Sequence, residues 1–195
     1  AHIKMIYIVY FSAFALLTLF SFGFVDANFP VRFFPETFLF VHTQRPAATV
    51  AYTVLIISLF TAYAWILYQI RKNALSAKRV AVLLVGSAVI AFLSFPGFSY
   101  DVFNYIATAK VTYLYQENPY LVMPIEISNE PMLSFLHASN KIALYGPLWI
   151  ILTAIPHFTG LGNLVLTTYM FKMFAGIFWI ATLILLWKMT NRNLF

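Results

Sequence analysis

Apolar residues in this chain come in long, nearly unbroken stretches rather than at the spaced positions of a water-soluble core. The stretches at 5–24, 48–70, 80–98 and 164–187 each approach the ~20 residues that an α-helix needs to cross about 30 Å of hydrocarbon. A fifth, at 142–158, is apolar but marginal in length. The pattern predicts an all-α membrane protein, a polytopic helical bundle with four or five crossings. Polar residues gather between the stretches and divide the chain into three parts. Residues 1–98 carry three transmembrane helices with a basic loop at 71–79. Residues 99–143 form a large loop, and 144–195 hold the short apolar helix and a final transmembrane helix.

Composition sharpens this reading. The chain is 62% hydrophobic and 9% charged, against about 25% charged residues in a typical soluble domain. The first stretch is too long for the h-region of a cleavable signal peptide and lacks a small-residue cleavage site, so it is read as a span. Cysteine is absent, which removes disulfides, thiolate metal sites and a cysteine nucleophile. The net charge of +6 does not point to nucleic acid. The basic residues sit at membrane edges, where anchoring and anionic lipid are the simpler partners.

Charge also gives an orientation. The run RKNALSAKR at 71–79 has four basic residues and no acid, which places it in the cytoplasm. All six acids, Asp26, Glu36, Asp101, Glu117, Glu126 and Glu130, then fall in the two loops assigned to the extracytoplasmic side. The tail is open to two readings. If 142–158 crosses, the reading favoured here, Lys188 and Arg192 emerge outside. If it is re-entrant or interfacial, they remain cytoplasmic.

Asp101 stands where the third stretch ends. An ionised carboxylate at a bilayer centre costs about 2.5–3.5 kcal/mol, so an acid kept at the boundary is a functional candidate. The segment 101–116 has helical periodicity. Asp101, Asn104, Tyr105, Thr108, Thr112, Tyr115 and Gln116 share one face, and Val102, Phe103, Ile106, Val111 and Leu114 the other. This predicts an amphipathic interfacial helix with its apolar side on the membrane, started by Ser99. Asn104 and Tyr105 are placed to orient the carboxylate or bind hydroxyls. Lys110, near the middle of the apolar face, is expected to snorkel or to meet a lipid phosphate.

Asn118-Pro119 stops that helix. Tyr145-Gly146-Pro147 reads as a loop closing onto a helix with Pro147 in its first turn. Lys172 is a second costly charge inside the last stretch and should face the bundle interior, a cavity or an anionic partner. His137 reads first as a hydrogen-bonded loop residue. The four histidines show no zinc-type spacing.

Ser99-x-Asp101-x-x-x-Tyr105, then Asn118-Pro119-Tyr120, Pro124 and Tyr145-Gly146-Pro147-Leu148, resemble the GT-C superfamily of integral-membrane glycosyltransferases. The resemblance is nearest to polyprenyl-phosphate-mannose-dependent mannosyltransferases, in their N-terminal part. It implies transfer of a sugar from a polyprenyl-phosphate donor to a hydroxyl on a glycan or glycolipid acceptor, outside the cytoplasm and with inversion. Asp101 matches the catalytic acid and would serve as general base. Candidate substrate-binding positions are Asn104, Tyr105, Lys110, Asn118, Tyr120, His137, Lys141, Tyr145 and Lys172.

Two departures accompany the resemblance. Many members carry a second acid near the first, where this chain has the amide of Asn104, so dependence on a divalent metal stays open. Members also have about twice as many spans, so the chain is read as a fragment, a split subunit or a reduced relative, the first two of which call for a C-terminal half or a second subunit. The competing readings are a noncatalytic transporter or flippase-like subunit for lipid-linked sugars, and a membrane scaffold. The first would call for internal symmetry, and no repeat is seen. The second leaves the polar helix face unexplained.

Overall fold

The computed structural model describes residues 2–31 and 33–192, with side chains placed for 4–31 and 33–190. The side chain of Arg192, one of the two basic residues used to read the tail, lies outside them. Among the described residues there are seven α-helices and no strand. They are α1 (His2–Ser21), α2 (Pro35–Thr43), α3 (Arg45–Arg71), α4 (Ala77–Leu93), α5 (Asp101–Tyr113), α6 (Pro147–Thr159) and α7 (Leu164–Arg192). Three segments, Lys4–Phe24, Arg45–Arg71 and Leu164–Thr190, are long and apolar enough to cross a membrane. Their outer faces are bare: Ile57 is 60% exposed, Phe60 67% and Trp187 65%. Surfaces that apolar are stable only in hydrocarbon, where a helix satisfies every backbone polar group internally. The protein is an all-helical membrane protein.

The chain divides into two compact units, Ala1–Phe98 and Ser99–Phe195. In the first, α1 packs against both α3 and α4. One end of that packing is a cluster of Ile6, Ile66, Leu75 and Leu83, and the other a cluster of Phe20, Val41 and Ala48. The buried Ser21 hydroxyl donates to the Thr18 carbonyl at 2.6 Å and accepts from the Phe95 amide at 2.9 Å. It thereby ties the end of α1 to the chain just beyond α4.

Two local features differ from the periodicity. The loop between the first two spans contains α2, started by Pro35 at its first turn. The third stretch was expected to be helical over 80–98, but α4 ends at Leu93. Ser94 is extended (ψ 153°) and Pro96 follows, which excludes a continuing helix. The 17 residues of α4 span about 25 Å.

In the second unit, α5 is the central element and packs on both α6 and α7. Between α5 and α6 the chain makes two short 3₁₀ turns, Pro124–Glu126 and Pro131–Ser134. The expectation that the apolar face of α5 rests on lipid is corrected here. Phe103, Ile106 and Val111 are 0–2% exposed, with Phe103 meeting Phe135 edge-on at 5.6 Å. Protein covers the middle of that face, while Leu114 at its end is 56% exposed. The expected polar face is also partly covered, since Thr108 is buried. The helix is shorter than 101–116 because Gln116 takes a left-handed conformation (φ 58°).

The 13 residues of α6 span about 20 Å, two thirds of a hydrocarbon core. Gly160 lets α6 and α7 approach closely, because a Cβ there would collide with the backbone and side chain of Thr167. Asn163 begins α7, its Oδ1 accepting from the Leu166 amide at 2.9 Å.

Candidate active site

Asp101 is the first helical residue of α5, and the Ser99 hydroxyl accepts a long hydrogen bond from its amide at 3.4 Å. An acid in the first turn suits the positive end of the helix dipole. The Asp101 side chain is exposed. Among the described residues no cation pairs with it.

Asn104 and Tyr105 follow one turn later on the same face. The Tyr105 ring is the point where three elements converge. It lies 4.6 Å from the Tyr145 ring and 5.1 Å from Trp149, both edge-on, and stacks on Phe171 of α7 at 6.3 Å. Burial raises the Tyr105 phenol above its usual range, and the negative charge of Asp101 adds to the rise. The Tyr145 phenol is raised by burial, then by Tyr105 and Asp101, against a hydrogen bond from Asn104. Both phenols stay protonated at physiological pH and act as neutral donors.

Two polar atoms in this cluster have no partner. Asn104 Oδ1 and Trp149 Nε1 are buried and unbonded. Leaving a buried donor or acceptor unsatisfied costs about 1–3 kcal/mol each, and native structures keep few such groups. One is an acceptor and the other a donor; Trp149 packs on the Tyr105 ring and Asn104 hydrogen-bonds to Tyr145. A cleft of about 20 Å³ beside Asn104 is lined also by Thr108, Lys141 and Tyr145, among others.

The NPY and YGP motifs meet in space. The Tyr120 hydroxyl donates to the Tyr145 carbonyl at 2.8 Å, and the Ala143 amide donates to the Pro119 carbonyl at 2.7 Å. Asn118 Oδ1 accepts from the Tyr120 amide at 3.0 Å, closing an Asx turn. Asn118 and Tyr120 therefore shape the corner that presents Tyr145. Gly146 caps α6 in an extended conformation with Pro147 in its first turn, as the sequence suggested.

The remaining sequence candidates are spread more widely. His137 stacks on Tyr100, the residue before Asp101, at 4.3 Å and nearly parallel. Lys141 is exposed at the cleft. Lys172 follows Phe171 on α7 and sits over the Tyr169 ring at 5.6 Å. Lys110 is not near Asp101: nine residues along α5 separate them by about 13 Å.

Lys110 is instead the cation of a buried network. Its ammonium lies 2.6 Å from Oε1 of Glu130, whose side chain is 4% exposed. The Tyr115 hydroxyl donates to Oε2 at 2.5 Å and the Met132 amide to Oε1 at 3.1 Å. Burial alone would raise the Glu130 carboxyl. The hydrogen bonds from Lys110, Tyr115 and Met132, with the Lys110 charge, outweigh it and hold the group below the usual carboxylate range. The same bond pushes the Tyr115 phenol up to about 12.

Sequence reasoning missed Glu130 as this partner and missed Trp149 altogether. An acid twenty positions from its lysine has no periodicity to reveal it, and Trp149 read as one more apolar residue. No three His, Cys, Asp or Glu side chains among the described residues lie close enough to hold a metal. Asp101 and the Asn104 amide oxygen are the oxygen donors at the start of α5, too few to fix a divalent cation without further ligands.

No curated protein and no solved structure matches the chain. The family model described as alpha-(1->6)-mannopyranosyltransferase, N-terminal domain, matches residues 9–193, and the chain belongs to that MptA_B family.

Proposed function

We propose that the chain forms the acceptor-activating part of a GT-C type mannosyltransferase, with Asp101 as general base on the extracytoplasmic side. One observation carries this reading. An exposed, unpaired carboxylate begins the helix whose next turn presents a buried, unsatisfied acceptor on Asn104, while Trp149, packed on the Tyr105 ring, holds a buried, unsatisfied donor. A sugar is dense in hydroxyls that both donate and accept, so a sugar hydroxyl reaching either atom is a partner of the right kind.

In the proposed reaction an acceptor hydroxyl sits between Asp101 and Asn104. Asp101 takes its proton while the hydroxyl oxygen forms a bond to the anomeric carbon of mannose. The bond from that carbon to the donor phosphate breaks, and the phosphate leaves with the electron pair. Attack from the opposite face inverts the anomeric centre. A polyprenyl-phosphate leaving group needs no general acid, but the charge it gains needs a cation nearby. Lys141 and Lys172 are the candidates, because Glu130 already engages Lys110. The neutral Tyr105 and Tyr145 phenols supply donors to sugar oxygens. No step is routed through a metal.

The short α6 supports an interfacial or re-entrant placement, which keeps the tail cytoplasmic and agrees with the positive-inside rule. The family describes an N-terminal domain, which supports a site completed by a C-terminal half or a second subunit. The donor class is tested by supplying membranes that contain the chain with labelled polyprenyl-phosphate mannose or a labelled nucleotide sugar. The reading predicts transfer from the first without the second. Transfer from the nucleotide sugar, when polyprenyl-phosphate mannose cannot form, contradicts it.

A further inference from the structure

Outside the candidate site, the first unit carries an unneutralised cation at the mouth of one cavity, with a second cavity farther along the same helices. A groove of about 420 Å³ opens where α1 ends and α3 begins, and Phe20, Phe24, His42, Arg45, Thr49 and Tyr52 line most of it. A second, of about 240 Å³, lies farther along the same two helices at Tyr10, Phe14, Leu59, Phe60 and Tyr63. On α3 the lining positions 45, 49, 52, 59 and 63 recur at steps of four, three, seven and four, so one face carries both. From Arg45 to Leu59 that face runs about 21 Å. This is about the depth of one leaflet, from the headgroup region to the bilayer midplane.

Charge marks which end is polar. Arg45 is exposed, and among the described residues no carboxylate pairs with it. His42 is exposed beside it, its ring 4.2 Å from Phe38. The Thr49 hydroxyl is already committed to the Arg45 carbonyl at 2.9 Å. Below this end the walls are aromatic and run into bare helix surface, with Leu16 52% and Ile57 60% exposed. A ligand resident in the bilayer reaches such a groove sideways.

We propose that the α1–α3 seam binds one anionic bilayer phospholipid. Its phosphate sits against Arg45 and His42, and one acyl chain lies along Tyr52 toward Phe60 and Tyr63. The guanidinium fork matches phosphate oxygens, and Arg45 is at the end of α3 remote from the basic loop that starts at Arg71. By the positive-inside reading this is an outer-leaflet lipid. The proposal does not depend on the mannosyltransferase reading.

The test is native mass spectrometry of the full chain, purified in mild detergent and supplied with 1-palmitoyl-2-oleoyl-phosphatidylglycerol. One retained lipid per chain is expected. Arg45→Gln should lower retention at least fivefold and Arg71→Gln should not. Thr49→Trp, which fills the groove without changing its charge, should also lower it and decides the matter if Arg45→Gln fails to fold. Equal retention by the native chain and these variants overturns the proposal. So does equal retention of dioleoylglycerol, which lacks the phosphate, or stoichiometric displacement by polyprenyl-phosphate mannose, which would assign the groove to the sugar donor.

Discussion

The Lys110 ammonium and the Glu130 carboxylate lie 2.6 Å apart, with Glu130 4% exposed and Lys110 23% exposed. That inequality predicts unequal damage. Lys110→Met leaves a buried carboxylate without its cation and should cost about 3–5 kcal/mol. Glu130→Gln leaves a lysine that can turn to water, and should cost about 1–3 kcal/mol. Thermal or denaturant unfolding in detergent measures both, and the reverse order would show that the network is not arranged as described.

The same pair sets an acid limit. The folded-state Glu130 carboxyl is held below its usual value, so its stabilisation is complete above the unfolded value, near 4.5. It is lost as pH falls through the lower folded value. The native melting temperature should therefore drop on acidification below about pH 4.5. Glu130→Gln should remove this part of the drop, and an undiminished acid slope in the variant contradicts the assignment.

These two residues also mark the limit of what the sequence made legible. Long apolar runs identified α1, α3 and α7, because the bilayer demands a minimum length and excludes charge. Asp101, Tyr105 and Tyr145 could be named as candidates because their motifs survive as local spacing, and the structure gathers Tyr105 and Tyr145 at 4.6 Å. The protein cover over Phe103, Ile106 and Val111 of α5 was not legible, since an amphipathic helix has the same periodicity whether lipid or protein covers it. Nor was the early end of α4, where one proline overrode a continuing hydrophobic run. Lys110 was expected to reach lipid, and it is paired through a loop whose path no periodicity encodes.

Trp149 offers a test that separates function from stability. Replacing it with Phe removes a buried N–H that has no partner, so the substrate-free protein should lose little stability. The same change removes a donor intended for the sugar, and the KM for acceptor should rise roughly tenfold, equivalent to ~1.4 kcal/mol. Asn104→Leu should raise the KM alike, and it also forfeits the hydrogen bond to Tyr145, at about 0.5–1.5 kcal/mol of stability. Unchanged acceptor kinetics in both variants would show that these atoms do not face substrate.

The corner between the two motifs should be tolerant by comparison. Tyr120 is 36% exposed, so Tyr120→Phe forfeits its bond to the Tyr145 carbonyl at a cost below about 1 kcal/mol. Transfer should fall a few-fold at most. Gly160→Ala should cost more, about 1–3 kcal/mol of overpacking, because the new methyl would push α6 away from Thr167 of α7.

Asp101 bears the central claim, and mannose transfer in membranes by Asp101→Asn measures it most directly. Asparagine keeps the shape and removes the base, so the transfer rate should fall about 10²–10⁴-fold, with protein level and melting temperature unchanged. Transfer by Asp101→Asn at the native rate would contradict the account.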